Sequence, residues 1–396
     1  MTIQLARRLQ RIRPSATVSI TDKASRLSAE GRDIIRLSVG EPDFDTPAHI
    51  QDAAINAIKS GQTKYTALDG DPVLKDAIGR KLSRENGLSF QADQIIVSNG
   101  AKQCCYNLCH ALLEPGDEAI VPAPYWVSYP DMIRLTGAEP VFIHTSSKSR
   151  FRLSAEQLAA AITPATRLLI LNSPSNPTGS AYTPDELAAI GNVLAEHPKV
   201  VVLADEIYEH IYWGQAPLES FAARCPHLVD RTVTINGFSK GYAMSGWRLG
   251  YAAGPADVIR AMATIQGQCT TSASAISQAA AVAALDGDQH NVAEMSAAFR
   301  RRHDRLHSAL SAMDGLSCPP GDGAFYLFPN VVQACQRLGL DDDVHFCDAL
   351  LEQEGVALVP GTAFGSVGHI RISFAASDDV LDEAAARLGR FIAAAA

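Results

Sequence analysis

A regular alternation of strand-length apolar runs with helix-like stretches is the feature that most constrains the fold of this chain. The runs carry aliphatic and β-branched residues on consecutive positions, which is typical of strands buried on both faces. Five of them occupy the middle of the sequence, at Gln94–Val97, Glu118–Val121, Leu168–Leu171, Val200–Ala204 and Thr232–Ile235. Strands that alternate with helices in this way predict an α/β fold with a mostly parallel sheet covered on both faces.

One crossover between these strands can be predicted in detail. Thr183 is a favourable N-cap, Pro184 fits the first helical position, and Glu186 completes a capping box. The helix is expected to run until His197-Pro198 ends it. Because strands flank this helix on both sides, we expect a right-handed βαβ unit.

The pattern changes after the last of these strands. A long alanine-rich helical region is expected from about Ala273 to Leu310, followed by a helix near Val344–Glu354 and a strand within His369–Phe374. Strands and helices without regular alternation are typical of a smaller α+β domain. We therefore predict a large domain over residues 46–290 and a small domain assembled from residues 14–45 and 291–396.

Residues 1–13 are expected to form an arm outside both domains. Leu5, Leu9 and Ile12 recur at helical spacing, which predicts a short amphipathic segment that packs on a partner surface and ends at Pro14. The four arginines of this segment are also compatible with a mitochondrial presequence. The amphipathic arm is the preferred interpretation.

Composition and charge exclude several classes of protein. The chain has 34 Lys and Arg against 43 Asp and Glu, a net charge of −9, which argues against binding nucleic acid by neutralising phosphates. The group Cys104-Cys105-x-x-x-Cys109 lies in an apolar helical pattern, which favours buried free thiols over a disulfide scaffold or a zinc site. No apolar run reaches the roughly 18 residues that a membrane span needs. These features predict a cytoplasmic globular protein without a metal site.

Polar segments follow three of the predicted strands. They are Asn172–Gly179, Asp205–Tyr208 and Asn236–Lys240. Ligands of open parallel sheets collect beyond the carboxyl ends of the strands. If these strands are neighbours, one cleft collects the side chains of Asn176, Asp205, Tyr208, Ser239 and Lys240.

A lysine, an aspartate and a tyrosine in one cleft form the set that pyridoxal 5′-phosphate requires. The amine of Lys240 suits a Schiff base with the aldehyde, and the carboxylate of Asp205 suits the protonated ring nitrogen. Tyr208 lies three residues later and suits the 3′-oxygen. The segment Ser98–Gln103 opens a helix whose amides suit a phosphate, joined by the cation of Arg248.

The ordered set of motifs resembles the class I aminotransferases of fold type I, particularly the bacterial-type aspartate aminotransferases. The resemblance covers almost the whole chain and implies a large domain with a mostly parallel sheet, a smaller α+β domain and a homodimer. The motifs that carry it are Pro14–Thr17, Gly40–Phe44, Lys64–Thr66, Pro124–Tyr129, Asn172–Gly179, Asp205–Tyr208 and Ser239–Arg248.

The resemblance implies a role for each matching residue around the cofactor ring. Lys240 is implied to form the Schiff base and to carry the proton, and Asp205 to pair with the ring nitrogen. Tyr208 and Asn176 are implied to hold the 3′-oxygen, while Trp126 stacks on the ring.

The resemblance also implies how the phosphate and the substrate are bound. Phosphate contacts are implied for Arg248, Ser239, the amides of Gly100, Ala101 and Lys102, and Tyr65 of a second subunit. Arg371 is implied to grip the substrate α-carboxylate beside Asn176, Trp126 and the backbone of Gly40. The expected motion draws the two domains together when Arg371 binds the carboxylate.

Substrate choice depends on a second cation. Lys102, with Thr17 nearby, matches a subgroup that binds dicarboxylates, so transamination between aspartate and 2-oxoglutarate is predicted. The other interpretation of Lys102 is a solvated residue near the phosphate. An aromatic or prephenate amino acceptor, and other reactions of the same cofactor, stay open.

Two unrelated activities compete with this prediction. Gly237-Phe-Ser239-Lys-Gly241 also fits the nucleophile elbow of serine hydrolases, with Asp342 and His369 in the order a triad needs. A nicotinamide-binding enzyme is disfavoured because no Gly-x-Gly-x-x-Gly opens a helix after the first strand. The hydrolase leaves the other polar residues at the strand ends unexplained.

Overall fold

The computed structural model describes residues 3–12 and 16–394, with side chains from residue 18 onward in the second range. Within these residues, none of the helices combines the length and the apolar character that crossing a membrane requires. The α-helices are α1 Ala16–Ala29, α2 Ala48–Lys59, α3 Pro72–Asn86, α4 Ala101–Leu112, α5 Tyr129–Thr136, α6 Ala155–Ala161, α7 Pro184–Ala195, α8 Phe221–Arg224, α9 Ala256–Gly267, α10 Ala275–Asp286, α11 His290–Ser311, α12 Val332–Leu338, α13 Asp343–Glu354 and α14 Asp378–Ala393. Short 3₁₀ helices are found at Arg7–Arg11, Ala92–Gln94, Ser147–Ser149, Pro226–Arg231, Ser245–Trp247 and Gly361–Phe364.

Twelve strands form three sheets within the described residues. They are β1 Ile35–Arg36, β2 Ile95–Ser98, β3 Glu118–Ala123, β4 Glu139–His144, β5 Thr166–Asn172, β6 Val201–Asp205, β7 Thr232–Gly237, β8 Gly250–Ala253, β9 Tyr326–Leu327, β10 Val356–Ala357, β11 Val359–Pro360 and β12 Ile370–Ser373.

The central sheet has seven strands in the order β2-β8-β7-β6-β5-β3-β4. Only β8 runs against its neighbours, since it is antiparallel to both β2 and β7 while the other pairs are parallel. All five predicted apolar runs are strands of this sheet, and the predicted α/β class is confirmed. The strands β4 and β8 were not predicted.

The neighbours β5, β6 and β7 bring the polar segments together. Asn172 at the end of β5 pairs with Asp205 at the end of β6, which in turn pairs with Ile235 in β7. The crossover from β5 to β6 contains α7, and its predicted capping box is confirmed. The Thr183 amide donates to Glu186 Oε2 over 2.8 Å, and the Glu186 amide donates to Thr183 Oγ1 over 3.3 Å.

The cysteine group lies in the core beside this sheet. Cys104, Cys105 and Cys109 are buried free thiols on α4, as the apolar helical pattern predicts. Burial raises the pKa of the Cys104 and Cys109 thiols to about 12, so these side chains act as packing groups rather than as nucleophiles.

The alanine-rich region predicted to be helical is helical except for a short interruption. It forms two helices, α10 and α11, because the helical backbone is interrupted between Asp286 and His290. The Gln289 amide group donates to the carbonyl oxygens of Ala284 and Gly287, each over 2.8 Å, and the His290 amide donates to Asp288 Oδ1. These side chains bond the backbone groups that a continuous helix would pair internally.

Residues near the N-terminal end of the chain and residues of its C-terminal third form one buried apolar cluster. Ile35 and Leu37 pack with buried residues between Met295 and Ile392, and the sheet β11-β12-β9 lies in this half. The helix α10 instead packs on α2 and α3. We propose that residues 46–290 form the large domain and residues 14–45 and 291–396 the small one.

The described part of the N-terminal arm contains a 3₁₀ helix over Arg7–Arg11, and its packing on a partner surface stays a prediction. Leu5 and Leu9 are 69% and 47% exposed, although the arm contacts α5. Arg11 attaches the arm by donating from Nη1 to the carbonyl oxygen of Gly137 over 2.9 Å. The predicted end of the arm at Pro14 lies outside the described residues.

Candidate active site

A cavity of about 300 Å3 opens where β5, β6 and β7 end. Eleven of the fourteen residues that the sequence predicts for the site line it. They are Gly40, Ala101, Lys102, Trp126, Asn176, Asp205, Tyr208, Ser239, Lys240, Arg248 and Arg371.

Lys240 lies in the turn after β7, and its amine is partly buried. Its Nζ donates to the carbonyl oxygen of Gly40 over 2.5 Å. Burial lowers the pKa of Lys240 to about 8, against the attraction of Glu41 and with help from the charge of Arg371. A substantial fraction of this amine is therefore neutral near pH 8, which nucleophilic attack on an aldehyde requires.

Asp205 is buried at the end of β6 with both carboxylate oxygens bonded. Oδ1 accepts from the Ile207 amide over 3.2 Å, and Oδ2 accepts from the Tyr129 hydroxyl over 2.5 Å. Burial raises the pKa of Asp205 to about 6, although the Tyr129 hydrogen bond and the charge of Lys240 oppose this rise. The arrangement favours a carboxylate that is anionic at neutral pH and fixed in orientation.

Tyr208 presents a phenol three residues beyond Asp205. Its hydroxyl shares a 2.8 Å hydrogen bond with the hydroxyl of Tyr326. Burial raises the pKa of Tyr208 well above its ordinary value, so both phenols stay protonated. Gly40 lies against the Tyr326 phenol, because a Cβ added at Gly40 would overlap the Tyr326 hydroxyl.

Arg371 reaches the cavity from β12 and is 3% exposed. Nη1 donates to Asn176 Oδ1 over 3.0 Å and Nη2 donates to the Ser38 carbonyl oxygen over 2.5 Å. Among the described residues, its buried Nε has no hydrogen-bond partner. The guanidinium also lies 4.6 Å from the centre of the Tyr326 ring. A buried arginine with an unused donor and no carboxylate partner suits an anionic ligand.

The other end of the cavity is the N-terminus of α4. Gly100 precedes this helix with φ +89°, and a Cβ there would lie 2.7 Å from Arg248 Nη2, so the backbone and the guanidinium approach closely. Lys102 Nζ lies 4.9 Å from the centre of the Trp126 ring. Desolvation and the charge of Arg248 lower the pKa of Lys102.

The charges of the cavity fit pyridoxal 5′-phosphate. Of the described residues that line it, four are cationic and one is anionic. A helix N-terminus and cations suit a phosphate, an indole suits an aromatic ring, and Asp205 suits a ring nitrogen that carries a proton. The guanidinium of Arg371 also lines the cavity and suits a carboxylate.

Three predicted residues are not among those lining the cavity. Gly100 precedes α4 and lies close to the guanidinium of Arg248, which lines the cavity. Tyr65 is 91% exposed and contributes nothing to the cavity of its own chain. The side chain of Thr17 lies outside the described residues, although Val18 beside it lines the cavity.

The serine hydrolase alternative is wrong. The residues after Ser239 form a turn instead of the helix that a nucleophile elbow requires. Asp342 caps α13 by accepting from the amides of Val344 and His345. His369 stacks on Phe328 with 5.1 Å between ring centres, and its Nδ1 lies 3.2 Å from Ser366 Oγ. Neither side chain is arranged to activate Ser239.

Sequence reasoning missed several residues that support the site. Tyr129 and Tyr326 bond Asp205 and Tyr208. Asn172 accepts from the Asn176 amide over 2.8 Å and donates to the Asp205 carbonyl oxygen over 3.0 Å. Tyr129 and Asn172 lie within motifs that carry the resemblance, but only the folded chain shows which neighbours they bond.

The comparison with protein families decides which family this chain represents. The model of the family "Aminotransferase class I and II" matches residues 32–388. The chain belongs to this family. The aminotransferase is thus a pyridoxal-phosphate-dependent enzyme, as the motif set predicts.

Relatives of this aminotransferase match it over nearly their full lengths. The aspartate/prephenate aminotransferase of Nitrosomonas europaea is 49% identical over 98% of this chain and 100% of its own. The aspartate aminotransferase of Geobacillus stearothermophilus is 46% identical over 100% of both chains. The crystal structure of the aspartate aminotransferase from Rhizobium meliloti matches with a TM-score of 0.95 and 46% identity, covering 99% of both chains.

Proposed function

We propose that this aminotransferase transfers the amino group of aspartate to 2-oxoglutarate, giving oxaloacetate and glutamate. The observation that carries the proposal is the pair of cations, Arg371 and Lys102, in one cavity. Among the described residues, no carboxylate forms a salt bridge with either. A dicarboxylate substrate supplies one anion for each cation. The names of the relatives support the same donor.

Residues around Lys240 are proposed to perform the chemistry. When bound, pyridoxal 5′-phosphate supplies an aldehyde that condenses with amines and a ring that accepts electrons from the substrate α-carbon. Lys240 attaches the cofactor, and its Nζ then carries the proton between the substrate α-carbon and the cofactor. Asp205 holds the positive charge on the ring nitrogen. Tyr208 and Asn176 bond the 3′-oxygen, and Trp126 stacks on the ring.

Arg371 is proposed to bind the substrate α-carboxylate with the guanidinium N–H groups that Asn176 and Ser38 leave unused. Asn176 and the Gly40 backbone, already bonded to Arg371 and Lys240, position the substrate between these two residues. Because Arg371 belongs to the proposed small domain and Lys240 to the large one, carboxylate binding draws the domains together and excludes water. Lys102, with Thr17, binds the second carboxylate.

The phosphate site is proposed to be shared between two copies of the chain. Ser239, Arg248 and the amides of Gly100, Ala101 and Lys102 supply most of its donors. Arg248 is exposed within one chain, and the exposed Tyr65 has no role in its own cavity. A homodimer in which Tyr65 reaches the other copy's phosphate accounts for both observations. We place this dimer in the cytoplasm.

A second amino acceptor is favoured by the names of the relatives. Three proteins that are 48–50% identical to this chain carry the name aspartate/prephenate aminotransferase, one of them as probable. Prephenate also presents two carboxylates, so the same two cations suit it. We propose that prephenate is accepted in place of 2-oxoglutarate.

A panel of amino donors tested against 2-oxoglutarate and prephenate checks the proposed function. Aspartate is expected to be the best donor, with oxaloacetate as the product. Lys102→Ala is expected to raise KM for aspartate about tenfold, since a hydrogen-bonded ion pair is lost, while alanine as a donor is little affected. Lys148→Ala is the control, because Lys148 is exposed and is not among the residues that line the cavity. Failure to form oxaloacetate while another donor turns over would overturn the proposal.

A further inference from the structure

The phenol of Tyr129 touches two residues that are proposed to hold the cofactor ring. Its hydroxyl donates to Asp205 Oδ2 over 2.5 Å. Its ring packs edge-on against Trp126, with 5.2 Å between ring centres and 86° between planes. Tyr129 is 2% exposed and begins α5, so its packing leaves little freedom to the hydroxyl. The side chain of Tyr129 therefore restrains both Asp205 and Trp126.

The hydrogen bond leaves Asp205 with a defined direction. One carboxylate oxygen is held by the Ile207 amide and the other by Tyr129, so the plane of the carboxylate cannot rotate without breaking a bond. A carboxylate oxygen can accept more than one hydrogen bond. The remaining lone pairs are available to a group in the cavity that Asp205 lines.

The proton of this contact belongs to the phenol. Burial and the charge of Asp205 raise the pKa of Tyr129 well above its ordinary value, so Tyr129 stays a donor at neutral pH. A donor to a carboxylate stabilises the anion, whereas burial favours the neutral acid. Tyr129 thus opposes the desolvation that raises the pKa of Asp205.

We infer that Tyr129 is a positioning residue for the reaction, which keeps Asp205 anionic and directed at the ring nitrogen of the cofactor. The inference rests on the proposed role of Asp205. Without the phenol, Asp205 is a stronger base and takes the proton of the ring nitrogen, so the N–H bond breaks as the O–H bond forms. A ring without that proton accepts electrons less well.

Tyr129→Phe tests the inference in the holoenzyme, because it removes the hydroxyl and keeps the ring on Trp126. With cofactor labelled by ¹⁵N at the ring nitrogen, the NMR signal is expected to move toward the unprotonated form. We expect kcat for aspartate to fall about tenfold, the loss of a hydrogen bond to a charged group, with KM changed far less. Tyr182→Phe is the control, since it removes a buried hydroxyl that accepts from the Leu153 amide.

A second measurement distinguishes this inference from the proposed function. The full chain without cofactor is labelled with ¹³C at aspartate carboxyls, and Asp205→Asn assigns the Asp205 signal. Its titration is expected near the pKa of about 6 and about one pH unit higher in Tyr129→Phe. An unchanged titration and ¹⁵N signal in a folded Tyr129→Phe variant would overturn the inference. A parent enzyme that binds no cofactor would overturn the proposed function alone, because the carboxyl titration still tests Tyr129.

Discussion

Lys240 shows at the scale of one residue how burial changes the chemistry of a side chain. Its pKa falls from 10.5 to about 8 because its amine leaves water and faces other cations. The amine attacks an aldehyde only when neutral. The rate at which cofactor-free protein captures pyridoxal 5′-phosphate is therefore expected to rise with pH and to reach half its maximum near pH 8.

Stopped-flow absorbance measures this capture. The Lys240→Arg variant, which keeps a cation but cannot form the covalent bond, is expected to show no capture at any pH. A midpoint near 10.5, the ordinary value for lysine, would mean that the cavity does not activate Lys240.

Single residues also show what the sequence can predict. Asp205 ends β6 and Lys240 lies three residues beyond the end of β7, where ligands of parallel sheets collect, so their roles are predicted from position and residue type. Tyr129 follows no such rule. Its hydroxyl meets Asp205 only because α5 begins beside the end of β6, a contact across 76 positions of sequence.

Two adjacent acids at the end of β6 line different cavities. Asp205 lines the candidate active site, while Glu206 lines a separate cavity of about 420 Å3. Glu206 Oε1 accepts from Ser220 Oγ over 2.8 Å and from the Phe221 amide over 3.1 Å. Burial and the charge of Glu209 raise the pKa of Glu206 to about 8.

This raised pKa gives the stability of the fold a pH dependence. Between about pH 4.5 and 8 the folded chain holds a proton on Glu206 that the unfolded chain has released. The contribution of Glu206 to the free energy of unfolding therefore falls as pH rises through that window. Glu206→Gln is expected to remove this fall and to stabilise the protein by at least about 1 kcal/mol at pH 8.5.

Urea unfolding at several pH values measures the effect. Glu219→Gln, at a partly exposed carboxyl in the same cavity, is the matched control and is expected to change little. Equal pH profiles for the parent and Glu206→Gln would show that Glu206 is ionised in the fold.

Elements are predictable where the local sequence decides them. The capping box fixes the start of α7, so the sequence predicts it correctly. The break between α10 and α11 depends on Gln289 reaching back to the carbonyl of Ala284, and alanine-rich periodicity does not predict such a bond. The strand β8 was missed because it is a short run, Gly250–Ala253, that is a strand only between β2 and β7.

At the scale of the whole molecule, a net charge of −9 coexists with a cavity whose charged lining residues are four cations and one anion. Composition predicts the first of these properties and the motif order predicts the second. The proposed dimer belongs to this scale too, since Tyr65 acquires a role only beside another copy. The charge of the cavity and the role of Tyr65 both depend on residues from several elements.

Tyr65→Phe tests the shared phosphate site. It is expected to raise the dissociation constant of the cofactor about tenfold by removing a hydrogen bond to a charged group. The stability of the cofactor-free chain is expected to be unchanged, because Tyr65 is 91% exposed within one chain and the proposed partner of its hydroxyl is the cofactor phosphate. Equilibrium dialysis and sedimentation measure affinity and assembly, with the half-buried Tyr106→Phe as control. If the parent chain and Tyr65→Phe were both monomers and bound the cofactor equally well, the proposed dimer would be contradicted.

The covalent attachment of the cofactor tests the central claim most directly. The holoenzyme is reduced with borohydride, digested and mapped by mass spectrometry, with Lys102 as an internal comparison because it lines the same cavity and also has a lowered pKa. We predict that the mass of the reduced cofactor is found on Lys240. Finding it on Lys102 or another lysine, or on none, would contradict the assignment of this cavity as the active site.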